Sequence, residues 1–324
     1  MTNIAAIDIG TNSTRLLVAS VTGKKITTLA REMKITRLGK NIESGNIILE
    51  DSVKKTITIL TDYLETCRQH KVKTIRAVGT SVLRRADNSE CFLKKVYKQT
   101  GLKVEVISGA EEAKLGFEGV AKSLKYSYKN FRQSSFNSLK EKYGRKRITI
   151  LDIGGGSSEI VSGSTDGIVS SIKSIDIGSV TISERFLKQD IPEAGEISLM
   201  KDFIREILKK ELGDAKSYKD TPVIGVAGTV STIGSIFMEM ETYDRDKLNG
   251  LFLSVGDIEK IFRRLTGLAL VERKKIKGLQ PERADIIIGG TGILLAILDY
   301  IKAESMLVSE HDILDGIIYS SCNF

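Results

Sequence analysis

The sequence predicts a duplicated α/β protein, two mixed sheets each carrying helices. Two observations lead there. Strand-like and helix-like stretches alternate along both halves of the chain. A segment near the start, Ile4–Ser13, returns as Ile148–Ser157: a run of apolar residues, an acid, a glycine turn and a hydroxyl. At one constant offset Asp8 falls on Asp152, Ile9 on Ile153, Gly10 on Gly154, Ser13 on Ser157 and Gly23 on Gly167. Self-similarity at so long a period is the mark of a repeated domain.

In chain order, residues 4–9, 15–21 and 25–31 read as strands, the middle one nearly all apolar. Residues 51–69 place Val53, Ile57, Leu60 and Leu64 at helical spacing. A strand at 73–78 delivers Gly79-Thr80-Ser81 and a turn or helix with Arg84, Arg85 and Asn88. Strand 104–107 feeds a helix opening on Glu111-Glu112-Ala113. The second half reads as strands at 148–153, 158–163 and 167–177, a helix at 197–211, and strand 223–227 running into Gly228-Thr229. A helix follows at 256–266. Residues 283–301 read as two helices separated by a glycine break, and strand 305–309 leads to a helix starting near Ile313. The expected layout is a first domain over 1–120, a basic connector over 121–147 and a second domain over 148–309. A C-terminal helix at about 310–324 is expected to pack back on the first domain. The connector sets nine Lys and Arg residues against Glu141 alone, with Tyr126, Tyr128, Phe131 and Phe136 interleaved. It reads as a solvated linker or as an electropositive arm.

Composition narrows the chemistry. The 324 residues are 41% hydrophobic and 28% charged, with net charge +8, which favours acidic partners (nucleic acid, an anionic membrane or a phosphate-rich substrate), with a lysine-rich proteome as the plain alternative. Cys67, Cys91 and Cys322 are scattered with no Cys-x-x-Cys spacing, as expected of reduced thiols. His70 and His311 are the only histidines, which argues against histidine metal clusters and Ser-His-Asp triads. The first strand begins by Ile4 and the most apolar run, 286–298, is too short for a bilayer. A cytoplasmic protein with neither a membrane nor a specific nucleic-acid partner is expected.

The repeated motif carries the chemistry. A strand ending in an acid and turning through Gly154, Gly155 and Gly156 into Ser157 exposes backbone N–H groups that suit an anion. An ordinary hairpin is the alternative for one copy; two copies favour phosphate. Glu112, in the first turn of its helix, suits a water-activating base, with Glu111 as competitor and simple helix capping as the plain explanation.

Six motifs in order are similar to those of the exopolyphosphatase / guanosine pentaphosphate phosphatase family. They are Asp8-Ile-Gly-Thr-Asn-Ser13, Gly79–Asn88, Ser108-Gly-Ala-Glu-Glu-Ala113, Asp152-Ile-Gly-Gly-Gly-Ser157 with Glu159, Gly228-Thr229 and Glu282-Arg-Ala-Asp285. The resemblance implies two ribonuclease-H-like domains of the actin, sugar-kinase and heat-shock-ATPase superfamily, facing a central cleft. It implies Glu112 as catalytic base and Arg84 as a phosphate ligand. Gly10, Thr11, Asn12 and Ser13, together with Gly154, Gly155, Gly156 and Ser157, would form the two phosphate loops, with Gly228 and Thr229 also touching phosphate. Asp152, Glu159 and Asp8 would serve a divalent cation, Mg²⁺ or another. Polyphosphate is the substrate implied first, guanosine pentaphosphate second.

The chain departs from the family in its longer connector and in lacking a histidine-rich helical region. A preference for short chains, or a homodimer that completes the groove, would follow. An ATPase or kinase of the same fold would need an adenosine pocket, for which Gly289-Gly290-Thr291-Gly292 is the candidate. A non-catalytic polyphosphate- or alarmone-binding regulator is the remaining alternative.

Overall fold

The computed structural model describes residues 2–23, 25–126, 147–218 and 221–322. The chain forms two compact units, residues 1–120 with 311–324, and residues 121–310.

Unit 1 is a five-stranded sheet in the order β3-β2-β1-β4-β5, built from β1 (Thr2–Ile9), β2 (Ser13–Thr22), β3 (Lys25–Ile35), β4 (Thr74–Gly79) and β5 (Val104–Val106). The first three strands form an antiparallel meander, while β4 runs parallel to β1 and β5 parallel to β4. From Ile4 to Ile9 every residue of β1 is buried, because the strand is covered on both faces. Ala5, Ile7 and Ile9 face α1 (Glu50–Gln69), where Val53, Ile57, Leu60 and Tyr63 form the core. Ile4 and Ala6 face Ile313, Leu314, Ile317 and Ile318 of the C-terminal helix, residues Ile313–Ser320. Helices α2 (Ser81–Arg85) and α3 (Ser89–Thr100) and the part of α4 (Gly109–Tyr126) up to Val120 complete the unit.

Unit 2 repeats this plan with one strand added. Its sheet runs β10-β11-β9-β6-β7-β8, from β6 (Arg147–Ile153), β7 (Ser158–Ser164), β8 (Val169–Ile175), β9 (Val223–Val226), β10 (Phe252–Ser254) and β11 (Ser305–Val308). An antiparallel meander is again joined to parallel neighbours through its first strand. Its helices are α5 (Ser179–Phe186), α6 (Ala194–Leu212), α7 (Ala227–Phe237), α8 (Arg245–Leu248), α9 (Val255–Thr266), α10 (Leu270–Arg273) and α11 (Ile287–Tyr300), so the C-terminal helix is α12.

Several expectations need correction. Residues 283–301 hold a short 3₁₀ turn, Pro281–Arg283, and then one unbroken helix, α11. Its glycines are points of close helix approach. A Cβ at Gly289 would lie 2.5 Å from Ser183 Oγ, one at Gly290 2.8 Å from Thr229, and one at Gly292 2.7 Å from Met200. They are buried in the core of unit 2 and form no adenosine pocket. Helix α4 continues to Tyr126 and β6 starts at Arg147, so both ends of the expected connector are regular structure. Its remainder, 127–146, lies outside the described residues. Helices α3 and α5 and strand β10 were not foreseen.

Close backbone contact also joins α12 to α4. A Cβ at Gly316 would sit 1.9 Å from the Leu115 carbonyl oxygen, and one at Gly119 2.1 Å from that of Asp312. Gly316→Ala should therefore destabilise unit 1 by about 1–3 kcal/mol, the usual cost of overpacking. Gly195→Ala, in the open first turn of α6, should instead stabilise by about 0.5–1 kcal/mol. Urea unfolding of the two variants checks the opposite signs.

Candidate active site

The candidate site of unit 1 forms at the carboxyl ends of its three parallel strands, where β1 runs into Gly10–Ser13, β4 into α2 and β5 into α4. Open α/β sheets hold ligands at such an edge. Gly10 N–H donates to the Ser13 carbonyl at 3.0 Å, closing the first loop. The Asn12 carbonyl accepts from the N–H groups of Thr36 and Arg37, and that of Thr11 from Gly39 N–H. Gly39 is required there, since a Cβ would come within 2.3 Å of Thr11 Cγ2. The backbone of the loop is thus anchored from behind, while Thr11 Oγ1 and Asn12 Nδ2 are buried with no partner.

Two further groups extend this unmet capacity. Ser81 Oγ, in the first turn of α2, is buried with no partner. Arg84 Nη1 donates to the Ile107 carbonyl at 3.0 Å and to Glu112 Oε2 at 2.7 Å, while its Nη2 is buried with no partner. A buried polar atom left unpaired costs about 1–3 kcal/mol, so several in one unit point to a missing ligand. Hydroxyls, an amide and a guanidinium are the chemistry that receives phosphate oxygens.

Glu112 and Glu111 are separated by the turn of α4. Ser108 caps the helix, its Oγ accepting from Glu111 N–H at 3.1 Å, so neither glutamate side chain is needed for that role. Glu111 turns outward to Arg76, 2.9 Å away, with 44% of its side chain exposed. Glu112 turns inward to Arg84, with 14% exposed. Burial pushes the Glu112 carboxyl up to about 7, against the pull of the Arg84 guanidinium; Asp8 adds to the rise and Arg15 opposes it. A carboxylate poised near neutrality can take a proton from water.

The repeat exposes a difference between the units. In unit 2, Gly154 N–H donates to the Ser157 carbonyl at 3.0 Å, the same closure as in unit 1. The loop seals onto α5: the Gly154 carbonyl accepts from Ser179 N–H, that of Gly155 from Val180 N–H, and Gly178 lies against the Gly155–Gly156 peptide. Asp152 sits opposite Glu159 across the β6–β7 pair. Asp8, at the equivalent place in unit 1, sits opposite Arg15. Arg15 binds one oxygen of Asp8 through Nε at 2.8 Å and Nη2 at 2.5 Å, leaving Oδ1 buried with no partner. Burial raises the proton affinity of Asp8, with Arg15 working against it.

Unit 1 thus sets a cation opposite its acid, while unit 2 sets two acids opposite one another, a placement that is unfavourable in itself. Asp152 and Glu159 fit a hard divalent ion such as Mg²⁺, which favours carboxylate oxygens; Glu159 is held by Ser174 Oγ at 2.8 Å. Within either unit the described residues hold no group of three or more His, Cys, Asp and Glu side chains arranged as a metal centre.

Gly228 and Thr229 lie at the start of α7. The Arg283 guanidinium lies on Gly228, so that a Cβ would meet Nη1 at 2.2 Å. Thr229 is buried against Gly290 of α11. Both residues pack in the first turn of α7. Arg15 and Ser81 are the residues that sequence reasoning left without a role. The repeat offset held a signal for Arg15, which it aligns with Glu159.

Fold and site together define an α/β phosphohydrolase with the actin-like fold. A model of the Ppx/GppA phosphatase family matches residues 17–131 and 135–323, and the chain belongs to that family. It is similar to "Exopolyphosphatase 2" of Mycobacterium tuberculosis, 32% identical over 99% of this chain and 98% of that protein. It is 36% identical to "Bifunctional 3-dehydroquinate synthase/phosphatase" of Fusobacterium nucleatum over 97% of its own length, but spans only 46% of that longer protein. Among solved structures, the Aquifex aeolicus PPX-GPPA enzyme matches with TM-score 0.78 and 30% identity, over 98% of this chain and 99% of that one. An exopolyphosphatase-like protein matches with TM-score 0.88 and 28% identity over 99% and 97%. The chain is a hydrolase acting on phosphoanhydride bonds.

Removing Arg84 removes the main pull on Glu112. In wild-type protein the Glu112 carboxyl carbon should titrate near pH 7 by NMR, and in Arg84→Met its midpoint should move upward. A downward move would show that Arg84 is not what holds Glu112 ionised.

Proposed function

We propose that the protein hydrolyses the terminal phosphoanhydride of inorganic polyphosphate, releasing orthophosphate by attack of water that Glu112 deprotonates. The observation that carries this reading is the Arg84–Glu112 pair, a base near neutrality bonded to a guanidinium with an unused N–H. Arg84 Nη2, Ser81 Oγ, Thr11 Oγ1 and Asn12 Nδ2 would receive the terminal phosphoryl oxygens. Phosphoryl transfer asks mainly for such positioning and for charge neutralisation. The water would lie against Glu112, give it a proton and attack phosphorus, and the shortened chain would leave with its oxygen. A divalent cation, when bound, neutralises phosphate charge, and Asp152 and Glu159 are the residues that would hold it. Gly154 to Ser157 would form the second phosphate loop. No helix of the described residues is long and apolar enough to cross a membrane.

Phosphate release should be measured from long and short polyphosphate, guanosine pentaphosphate and ATP, with Mg²⁺ and with a chelator. Metal-dependent release from polyphosphate, with little from ATP, is expected. Preference for guanosine pentaphosphate would move the reading to that substrate, and no release from any of them would overturn it. Glu112→Gln should lower turnover by about 10²–10⁴-fold, the range for loss of a general base, while polyphosphate binding stays near wild type by calorimetry. Retained turnover would remove Glu112 from the base role.

A further inference from the structure

Five charged side chains of unit 1, with His311 at their end, form a chain that leads away from the site. Asp8 and Arg15 are opposite one another on β1 and β2, and Arg31 on β3 is opposite Leu17, two residues beyond Arg15. Strand alternation puts all three on one face of the sheet, the face that also carries Ile4 and Ala6 and is covered by α12. Arg15 uses Nε and Nη2 on Asp8 and gives Nη1 to Asp312 Oδ2 at 2.6 Å. Asp312 Oδ1 accepts from Arg31 Nη2 at 2.8 Å and from Leu314 N–H at 3.0 Å. Arg31 Nη1 reaches Asp315 at 2.9 Å, and the other oxygen of Asp315 lies 2.9 Å from His311 Nδ1.

Every side chain in this chain is at most 17% exposed. Carboxylates and guanidiniums alternate along it, and Asp312 is flanked by two guanidiniums, Arg15 and Arg31. Its one unfilled atom at the site end is Asp8 Oδ1. The anchoring residue, Asp312, caps α12 and sits with its carbonyl against Gly119 of α4, the helix that also carries Glu112.

We propose that Asp312 is a positioning residue for the active site, acting through Arg15 to hold the Asp8 carboxylate with Oδ1 turned away from its cation and open to the bound reactants. Arg15 is then an internal strut whose Nε, Nη1 and Nη2 are all committed to carboxylates. The partners of Asp312 fix Arg15 from the side opposite Asp8, so the guanidinium cannot swing round to fill Oδ1. Asp8 and Arg15 both act on Glu112 through space with opposite sign, so the arrangement of this pair also sets the field at the base. The inference rests on the phosphohydrolase reading above.

Asp312→Asn is the informative variant. Asparagine caps a helix as well as aspartate, so α12 keeps its first turn while the charge on Arg15 is lost. Turnover on polyphosphate should fall about 10–100-fold, the scale on which loss of a supporting partner disturbs a reacting group. KM should change little. The melting temperature should fall, because two buried guanidiniums lose a shared carboxylate, so turnover is compared at a temperature where circular dichroism shows both proteins folded. The acidic limb of the rate profile should move, and Asp312→Glu should restore part of the rate. In an Asp8→Asn background, Asp312→Asn should lower turnover no further. Wild-type turnover with an unchanged rate in Asp312→Asn would overturn the proposal, as would full additivity with Asp8→Asn. Absence of wild-type turnover on every phosphoanhydride would instead overturn the function on which it rests.

Discussion

The pairing of Glu112 with Arg84 at 2.7 Å is the interaction on which the proposed chemistry depends. A buried carboxylate is expensive to ionise, and a guanidinium beside it offsets that cost. The two opposing effects leave the group near neutrality. The fold supplies what the pair needs. Strand β4 ends beside β1 and hands the chain to α2, which carries Arg84; β5 ends beside β4 and hands it to α4, which carries Glu112. Parallel strands deliver loops to one edge, and the pair assembles there from segments 28 residues apart in sequence.

Duplication has left the two units with one backbone plan and different charges. The same glycine–serine closure occurs in both, at the same length. Across the next strand, the first unit carries Arg15 where the second carries Glu159. One substitution of sign separates an acid opposite an arginine from an acid opposite a second acid.

Much of this was legible in sequence because it is local. The Asp-x-Gly turns, the sheet strands and the inward turn of one glutamate at the start of α4 follow from periodicity and turn chemistry. What was not legible depends on contacts between distant segments. Gly289, Gly290 and Gly292 read as a helix break, yet they mark where α5, α6 and α7 press against α11. Nor does the sequence near Gly228-Thr229 announce that Arg283 and Gly290 pack against them. The ion chain joins Arg15 to Asp312 over 297 residues of sequence, and nothing in either neighbourhood announces the other. Arg15 alone carried a readable signal, its alignment on Glu159.

The pH dependence of kcat/KM for phosphate release tests the central claim most directly, since it reports the base of the free enzyme. The account predicts a rate that rises with pH through a midpoint near 7 in wild-type protein, and a small residual rate in Glu112→Gln without that limb. A limb at the ordinary glutamate value, or one that survives the substitution unchanged, would contradict it.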